Sequence, residues 1–454
     1  MYHNSKNVWK SLRAGAVGTI VGLGFLAGVS ATPAAAIEIQ EVESPGGIKA
    51  WLVEDYTVPI IAMDFAFEGG TSQDPEDKLG LTSLLTTMLD EGAGEMDSQA
   101  FQQKLEDLTM ELSFSAGRDY FYGSYKTLAA NKDETSALVH AALTSPRFDQ
   151  QPLERMKAKA LAGIERSLKR PDSVAGLAFS KALFPDHPYG WPSSGTLETV
   201  TTLTADDLAD QHKKIFARDG LTVGVVGAIS AEDLAPLLDK VFGGLPETGN
   251  LTTIEDVGPQ TGVVEHIAFD TPQTSIMFAL PGLKRSDPDF VNAFIANHIM
   301  GGGTFSSWLY EEIREKRGLA YGVGSYLVPR QHTALWMGST GTAGDKAPLA
   351  VDLIKQQLVR LAEEGPTEDE LSKAKAFLTG SYALRFDSSS AIANQLVGIQ
   401  TEELGIDYIN TRNDLINEVT LDDVKAVSKK LLSGVEPAIV TVGPFGDEAN
   451  AAGQ

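Results

Sequence analysis

The sequence contains no cysteine. Disulfides, thiol nucleophiles and cysteine-ligated zinc are therefore excluded, and packing alone must hold the core together. Histidine is also scarce: there are seven, and no two of them lie within twenty residues of each other. No pair of histidines at helical spacing is present, although zinc peptidases typically bind their metal through such a pair. A zinc site assembled from distant histidines is left open by this argument.

Two other motifs of enzyme chemistry are missing. We find neither the G-x-S-x-G turn of serine hydrolases nor the G-x-x-x-x-G-K-[ST] loop that binds nucleotide phosphates. The glycine run at 301–303 is not followed by lysine. We therefore interpret it as a hinge or a peptide-contact loop and not as a phosphate site.

Basic residues are few relative to acidic ones, with 37 Lys and Arg against 61 Asp and Glu in 454 residues and a net charge of −24. Such a surface repels nucleic acid and anionic lipid, so we expect no nucleic-acid partner. It mildly favours cationic peptides or a basic protein partner. Acidity is also a common means of solubility, so it says little about the substrate.

Residues 1–36 have the composition of a secretory signal peptide. Lys6, Lys10 and Arg13 precede an apolar stretch over 14–29, and small residues lead up to Ala36. Without this segment, 34 cations face 61 acids and the net charge is −27. We predict export to the periplasm and no stable membrane span, with a retained membrane anchor as the alternative.

Short sequence segments that recur at a nearly constant offset, called sequence echoes below, predict a duplicated fold. Thr204-Ala-Asp-Asp recurs 216 residues later at Thr420, the Val-Gly pair ending at Gly227 recurs at Gly443 with the same offset, and Leu153 with Lys157 recurs 218 residues on. The composition of 244–262 is that of a linker. We predict an α+β protein of two homologous halves, 37–243 and 263–446, followed by a tail at 447–454. Each half should be a mostly antiparallel sheet covered by helices, and the halves should face each other as a clam.

The stretch 300–323 carries the most specific local signal. Apolar spacing predicts a short amphipathic helix that begins near Ser306 or Ser307, with Arg314 among the cations of its last turn. Gly318 is then expected in a left-handed conformation, and Tyr321 falls on the following strand. The tips of Arg314 and Tyr321 should therefore face one site. A purely structural alternative explains the same pattern: the cations stabilise the C-terminal end of the helix dipole, and the tyrosine packs against its neighbours.

The segment GGGTFSSWLYEEIREKRGLAYGVGSYL resembles the C-terminal-half signature of the insulinase/pitrilysin peptidases, close to mitochondrial processing peptidase and small bacterial members. In that family an Arg, and a Tyr seven positions later, hold the substrate backbone beside a zinc that belongs to the N-terminal half. Arg314 and Tyr321 match both residue types and the spacing. Trp308 departs from the common Ser-Ser-Arg-Leu pattern, so the outer contacts of the helix are not carried over.

The same resemblance implies a degenerate zinc site. The segment aligned with 80–92 carries H-x-x-E-H in the family, and the corresponding positions here are Ser83, Thr86 and Thr87. The third ligand, a Glu in the family, falls near Gly163. Hydroxyl groups are poor zinc ligands and are not bases near neutral pH. We therefore expect no metal and no other cofactor on this chain.

Small bacterial members of the family are often made as two unlike subunits, one with the zinc motif and one with only the Arg/Tyr pair. This chain resembles the second kind. The resemblance implies a zinc-free substrate-binding subunit, inactive alone, within a zinc metalloendopeptidase complex whose partner carries H-x-x-E-H and the zinc. The substrate would be a peptide or an unfolded protein. The alternative is a non-proteolytic scaffold or binding protein of the same fold.

Overall fold

The structure is a computed structural model that describes residues 37–446, apart from the side chain of Thr304. The predicted signal peptide and the predicted tail lie outside these residues. The described residues belong to one compact unit. No helix in this part of the chain combines the length and the apolar character needed to cross a bilayer.

Two large sheets and one short hairpin contain the described strands. The strands are β1 (Gln40–Glu43), β2 (Lys49–Glu54), β3 (Ile60–Glu68), β4 (Gly92–Ala93), β5 (Met96–Asp97), β6 (Glu111–Ala116), β7 (Tyr120–Leu128), β8 (Leu221–Gly227), β9 (Val264–Ile267), β10 (Gln273–Pro281), β11 (Ala320–Pro329), β12 (Ala334–Ala343) and β13 (Ala438–Val442). The first sheet has the order β1-β2-β8-β3-β7-β6, and the second has the order β11-β12-β10-β13-β9.

Helices cover both sheets. They are α1 (Leu81–Thr86), α2 (Ser98–Asp107), α3 (Lys132–Thr144), α4 (Gln150–Ser167), α5 (Pro171–Leu183), α6 (Leu197–Thr202), α7 (Ala205–Ile215), α8 (Ala231–Phe242), α9 (Phe290–Asn297), α10 (Ala347–Glu363), α11 (Glu368–Gly380), α12 (Ser389–Thr401), α13 (Tyr408–Glu418) and α14 (Leu421–Leu432). Two π-helical segments, His298–Gly302 and Tyr310–Glu315, lie between α9 and β11.

The two sheets have the same topology. In the first, β2 runs parallel to β8, and β3, β7 and β6 follow as antiparallel neighbours. In the second, β9 runs parallel to β13, and β10, β12 and β11 follow in the same way. Among the described strands of these two sheets, β1 alone has no counterpart. The predicted fold class, an α+β protein of two homologous and mostly antiparallel halves, is therefore confirmed.

The sequence echoes correspond to equivalent local structure. Thr204 and Thr420 each form a capping box at the start of α7 and α14. Lys157 donates to the carbonyl of Leu203 at 2.9 Å, and Lys375 donates to the carbonyl of Asn417, also at 2.9 Å. The repeat is thus preserved down to single hydrogen bonds.

Each half also covers the other half's sheet. Helix α5 of the first half packs Phe179 and Leu183 onto β10 and β13 of the second. Helix α12 of the second half packs Leu396 onto β3 and β8 of the first. A Cβ on Gly224 in β8 would lie 2.7 Å from the carbonyl oxygen of Ala393, so α12 approaches this strand as closely as glycine permits. The apolar core therefore runs from one half into the other.

Two helix boundaries near the degenerate zinc positions have local causes. Helix α1 is short and ends at Thr86. Pro171 occupies the first turn of α5 and so separates this helix from α4. Proline suits that position because its missing N–H has no partner within a helix start.

Candidate functional site

The segment 308–321 forms the predicted helix and strand. The helix is π-helical over Tyr310–Glu315, a geometry that the spacing did not predict. It ends at Gly318, whose φ of 59° confirms the expected left-handed conformation. The N–H of Leu319 donates to the carbonyl of Ile313 at 2.9 Å, and this bond closes the helix end. Single-turn π segments are frequent at functional sites.

Trp308, which departs from the family pattern, faces the core. It is 2% exposed, its indole N–H donates to Glu370 at 2.6 Å, and the guanidinium of Arg360 lies 3.8 Å from its ring centroid. Trp308 therefore ties the π helix to α10 and α11. The outer face of the helix is formed by other residues.

Tyr321 lies in a bulge on an edge strand. Ala320 pairs with Thr342 and Val323 with Thr340, so Tyr321 and Gly322 together face the single residue Gly341 on β12. Since β11 is the edge strand of its sheet, its outer backbone groups are free of ladder partners within the described sheet. Bulges redirect side chains and are common next to functional sites. The Tyr321 side chain is 87% exposed.

The structure brings Arg314 and Tyr321 together. The guanidinium carbon of Arg314 lies 4.9 Å from the ring centroid of Tyr321 and 4.9 Å from that of Tyr310. An amino nitrogen of Arg314 also donates to the Tyr310 hydroxyl. The planar cation is thus positioned by two aromatic rings, an arrangement that Arg forms and Lys does not reproduce.

Arg314 differs from the cations beside it. Lys316 and Arg317 both pair with Glu312, at 2.6 and 2.5 Å. Among the residues that the structure describes, no carboxylate lies within 4.0 Å of the Arg314 guanidinium. A guanidinium without a carboxylate keeps N–H donors free for another acceptor, such as a peptide carbonyl.

A groove adjoins the bulge. Its volume is about 530 Å³. Residues of β10, β11 and β12, including Gly322 and Ser339, line the groove together with Asp172 and Ala175 of α5. Both halves therefore contribute to a groove beside Tyr321, as expected for a ligand site between domains.

The glycine run at 301–303 packs against strand β11, which carries Tyr321. A Cβ on Gly301 would lie 2.4 Å from the hydroxyl oxygen of Ser325 and 2.7 Å from its backbone nitrogen, so the loop lies directly on β11. Phe305, which follows the run, is 75% exposed and contacts Tyr310 edge-on at 5.0 Å. No role was predicted for Phe305. An aromatic residue two positions after the glycine run was the signal in the sequence that could have found it.

Three of the four degenerate zinc positions line one cavity of 310 Å³: Ser83, Thr87 and Gly163. The hydroxyls serve local structure, since Ser83 donates to the carbonyl of Ser193 at 2.7 Å and Thr87 to that of Leu84 at 2.8 Å. Thr86 does not line the cavity, and its hydroxyl donates to the carbonyl of Ser83 at 2.7 Å. A Cβ on Gly163 would meet open space.

Nothing at this cavity resembles a metal site. Within residues 37–446, no three His, Cys, Asp or Glu side chains are grouped so that they hold a metal ion. The cation Lys159 also lines the cavity. The donor set consists of hydroxyls and an amine, which does not fit zinc.

His187 has a structural environment. Its Nδ1 accepts the N–H of Tyr189 at 3.1 Å, and its Nε2 lies 3.0 Å from the carbonyl oxygen of Glu255. Tyr189 is buried, donates to Asp119 at 2.5 Å and accepts the N–H of His332 at 3.1 Å. This turn therefore links the two halves, and burial lowers the pKa of His187.

Comparison with known proteins identifies the family. Residues 202–378 match the family model described as the peptidase M16 inactive domain. The crystal structure of a peptidase M16 inactive domain from Pseudomonas fluorescens is 30% identical, covers 90% of this chain and 98% of that chain, and superposes with a TM-score of 0.84. The chain belongs to the peptidase M16 family. The predicted insulinase/pitrilysin resemblance is therefore confirmed.

Two further similar proteins come from Helicobacter pylori. The non-peptidase homolog YmxG is 27% identical over 406 residues, which cover 88% of this chain and 92% of that protein. The crystal structure of a protease from the same species has a TM-score of 0.81 at 18% identity, covers 90% of this chain and 100% of that one, and supports the fold alone. A Bacillus subtilis relative, 22% identical over 90% of this chain and 99% of its own, is named an uncharacterized zinc protease YmxG.

Proposed function

We propose that this M16 chain is a zinc-free, substrate-binding subunit of a heteromeric peptidase. In this proposal the partner subunit carries H-x-x-E-H and the zinc, and the chain described here binds an extended peptide or unfolded protein. Arg314 and Tyr321 donate hydrogen bonds to the peptide backbone next to the partner's zinc. The chain alone cleaves nothing.

The proposal depends on the surroundings of the Arg314 guanidinium. Its guanidinium is positioned by Tyr310 and Tyr321, has no carboxylate within 4.0 Å among the described residues, and lies at a bulged edge strand. A cation that only stabilises the helix end would not require two aromatic rings around it, and a neighbouring carboxylate would not interfere with that role. Lys316 and Arg317, which pair with Glu312, are cations of that ordinary kind.

Loss of the zinc ligands supports a non-catalytic role. Ser83, Thr86, Thr87 and Gly163 stand where the family's ligands and base are expected, and three of these positions line one cavity without forming a donor set for zinc. The similar proteins include an M16 inactive domain and a non-peptidase homolog. Catalysis by a complex then requires a second subunit that supplies the metal.

Export to the periplasm is part of the proposal. It is supported by Lys6, Lys10 and Arg13 before an apolar stretch. Sequencing the N-terminus of the protein purified from its native host tests this part. A mature chain that begins near residue 37 is expected, and an intact N-terminus in a cytoplasmic fraction contradicts it.

The experiment compares three variants in the complex purified from the native host. Tyr321→Phe removes one hydroxyl and almost no volume, and it should lower peptide turnover by about 10²–10³-fold if the hydroxyl stabilises the transition state. Arg314→Lys should be similarly damaging because an ammonium cannot replace the planar guanidinium. Arg317→Lys is the matched control, since Arg317 lies at the same helix end but pairs with Glu312.

Melting temperature and assembly are measured on the same samples. We expect both to be unchanged in the Arg314 and Tyr321 variants, and turnover to be unchanged in the Arg317 variant. Full turnover of Tyr321→Phe and Arg314→Lys, with a lowered melting temperature, would refute the substrate role. That outcome favours a non-proteolytic scaffold of the same fold.

A further inference from the structure

Another cavity is lined entirely by residues of the second half and lies apart from the Arg314 site and the degenerate zinc positions. It has a volume of 320 Å³ and is enclosed by α9, β11, α12, α13 and the turn Tyr382–Phe386. This volume is at the lower end of the range of about 300–1,000 Å³ for small-molecule sites. Three arginines line the cavity, Arg285, Arg385 and Arg412, and the acid among its lining residues is Glu402.

We propose that this cavity binds a carboxylate carried on an aromatic or aliphatic group. The site is independent of the proposed peptidase role and shares no residue with the Arg314 site. Its ligand is either a small free acid or the C-terminal residue of a peptide, and both present the same chemistry to the cavity. Three observations carry the proposal: an unpaired buried cation, an excess of positive charge, and aromatic walls.

Arg412 is the unpaired buried cation. It is 6% exposed, and its described hydrogen bonds come from one amino nitrogen, which donates to the carbonyl of Leu378 at 3.2 Å and to Asn413 at 3.1 Å. No carboxylate in the described part of the chain lies within 4.0 Å of this guanidinium. Its charged neighbours are Arg285 and Arg385, which add to the positive potential. A buried cation without an anionic partner is costly, and a bound anion removes that cost.

The charge of the lining is positive overall. Arg285 and Arg385 also have no carboxylate within 4.0 Å in the described residues, so three cations face one acid. Burial raises the pKa of Glu402, and Arg285 opposes that rise. In a partly dry cavity, hydrogen bonds from guanidinium groups to an anion are stronger than those between neutral groups.

The residues that form the walls of the cavity favour a ligand whose carboxylate is attached to an apolar group. The Arg412 guanidinium lies 4.2 Å from the ring centroid of Tyr382, and Arg285 lies 4.4 Å from that of Phe290. Phe294 and Ile399 complete an apolar side. Two of the three arginines thus lie over aromatic rings, and Arg285 also donates to the Tyr408 hydroxyl. The described hydrogen bonds of Arg412 use one amino nitrogen, so its other N–H donors are available to a planar carboxylate. A bare inorganic anion leaves the apolar side unused.

The test uses phenylpropionate as the probe and phenylpropionamide as its uncharged match, measured by isothermal titration calorimetry on the full chain. We expect one phenylpropionate per chain and at least about tenfold weaker binding of the amide, because a charged hydrogen bond is lost. Arg412→Met keeps most of the side-chain volume and removes the charge, so its affinity should fall by at least about tenfold. Arg360→Met is the matched control, since Arg360 stacks on Trp308 outside the cavity.

A second variant tests the location without touching a charge. Gly398 lines the cavity within α12, and a Cβ there would meet no atom within 4 Å. Gly398→Leu should fill the cavity and abolish binding while the helix is retained, because leucine is a better helix former than glycine. Gly176→Leu is the control, since Gly176 is also helical with open space around its Cβ but lies outside this cavity.

The outcomes separate the proposal from non-specific binding. Equal affinity for acid and amide, no binding of phenylpropionate at millimolar concentration, or unchanged binding in Gly398→Leu overturns it. A comparison of acetyl-Gly-Gly-Phe with its amidated form then identifies the source of the carboxylate. Tighter binding of the peptide acid than of phenylpropionate assigns a peptide C-terminus, and weaker binding assigns a free acid.

Discussion

Three hydroxyl groups stand where the M16 zinc motif is expected, and each is used by the backbone around it. Ser83, Thr86 and Thr87 all donate to carbonyl oxygens within 2.8 Å. These residues are therefore integrated into the fold as hydrogen-bonding side chains, and α1 ends at Thr86. A return to metal binding requires several coordinated changes because zinc needs three protein ligands.

We predict that the purified chain binds no stoichiometric zinc, and that Thr87→His alone does not change this. One imidazole cannot replace three ligands, so zinc affinity should remain negligible. The quadruple variant Ser83→His, Thr86→Glu, Thr87→His and Gly163→Glu tests whether the helix geometry still allows a site, since Gly163 faces open space. Elemental analysis after dialysis measures the zinc content. About one tightly bound zinc in the wild type or the single variant contradicts the assignment of these positions.

Asp64 gives a pH prediction at the contact between the halves. It lies on β3, accepts the side-chain N–H of Asn394 from α12 at 3.3 Å, and has a pKa raised by burial from 3.8 to about 6. Because the folded pKa exceeds the unfolded one, the protonated group favours the folded state. Its stabilisation is greatest below about pH 4 and is lost as the pH rises through about 6.

The variant Asp64→Asn removes this titration and keeps an oxygen that accepts the bond from Asn394. Between about pH 4 and pH 7.5, the free energy of unfolding of the wild type should fall relative to the variant by about 1–3 kcal/mol, since each pKa unit corresponds to about 1.4 kcal/mol. Urea unfolding of both proteins at the two pH values measures the difference. The pKa of Asp74 is also raised to about 6. Because both proteins contain Asp74, its contribution to the pH dependence of stability cancels in the comparison. Parallel pH profiles contradict the prediction.

At the scale of elements, the helix and strand around Arg314 were predictable and their exact geometry was not. Apolar spacing and Gly318 predicted the helix, its end and the strand that follows. The π-helical turns and the bulge at Tyr321 were missed, because each changes the register by one residue and depends on partners distant in sequence. Whether the pair binds substrate stays a prediction.

Trp308 is the residue that fixes the π helix to its neighbours. Trp308→Phe removes the bond to Glu370 and reduces the area stacked on Arg360, so the free energy of unfolding should fall by about 1–3 kcal/mol. Because Trp308 faces the core, the effect should be on stability. Urea unfolding measures it, with Phe305→Leu as the exposed control on the same segment. An unchanged midpoint for Trp308→Phe contradicts the assigned anchoring role.

At the scale of the molecule, the duplication of the fold was predictable from the sequence. The exchange of helices, in which α5 of the first half covers the second sheet and α12 of the second half covers the first sheet, was not. Capping residues and strand ends repeat in the sequence because each half needs the same local structure. Helices α5 and α12 are largely apolar segments whose sequence does not specify which sheet they cover. That choice depends on packing between residues distant in sequence, such as the apolar cluster that contains Phe179 of the first half and Val440 of the second.

The exchange predicts that neither half is stable alone. Residues 263–446 without α5 lose Phe179 and Leu183 from the apolar cluster that contains Val440 and Val442 of β13, and these side chains then become more exposed. An exposed apolar sheet face promotes aggregation or a loosely packed state. We therefore expect this fragment to be insoluble, or to bind an apolar dye and unfold without a cooperative transition.

Co-expression of 37–262 with 263–446 provides the control, because both exchanged helices are then present. The two fragments should form a soluble complex that unfolds in one transition, since the apolar clusters around α5 and α12 each contain residues of both fragments. Size-exclusion chromatography and thermal unfolding measure the outcome. A monomeric 263–446 fragment with a cooperative transition near that of the full chain contradicts the prediction. In that case α5 adds affinity between the halves but is not needed to complete the second fold.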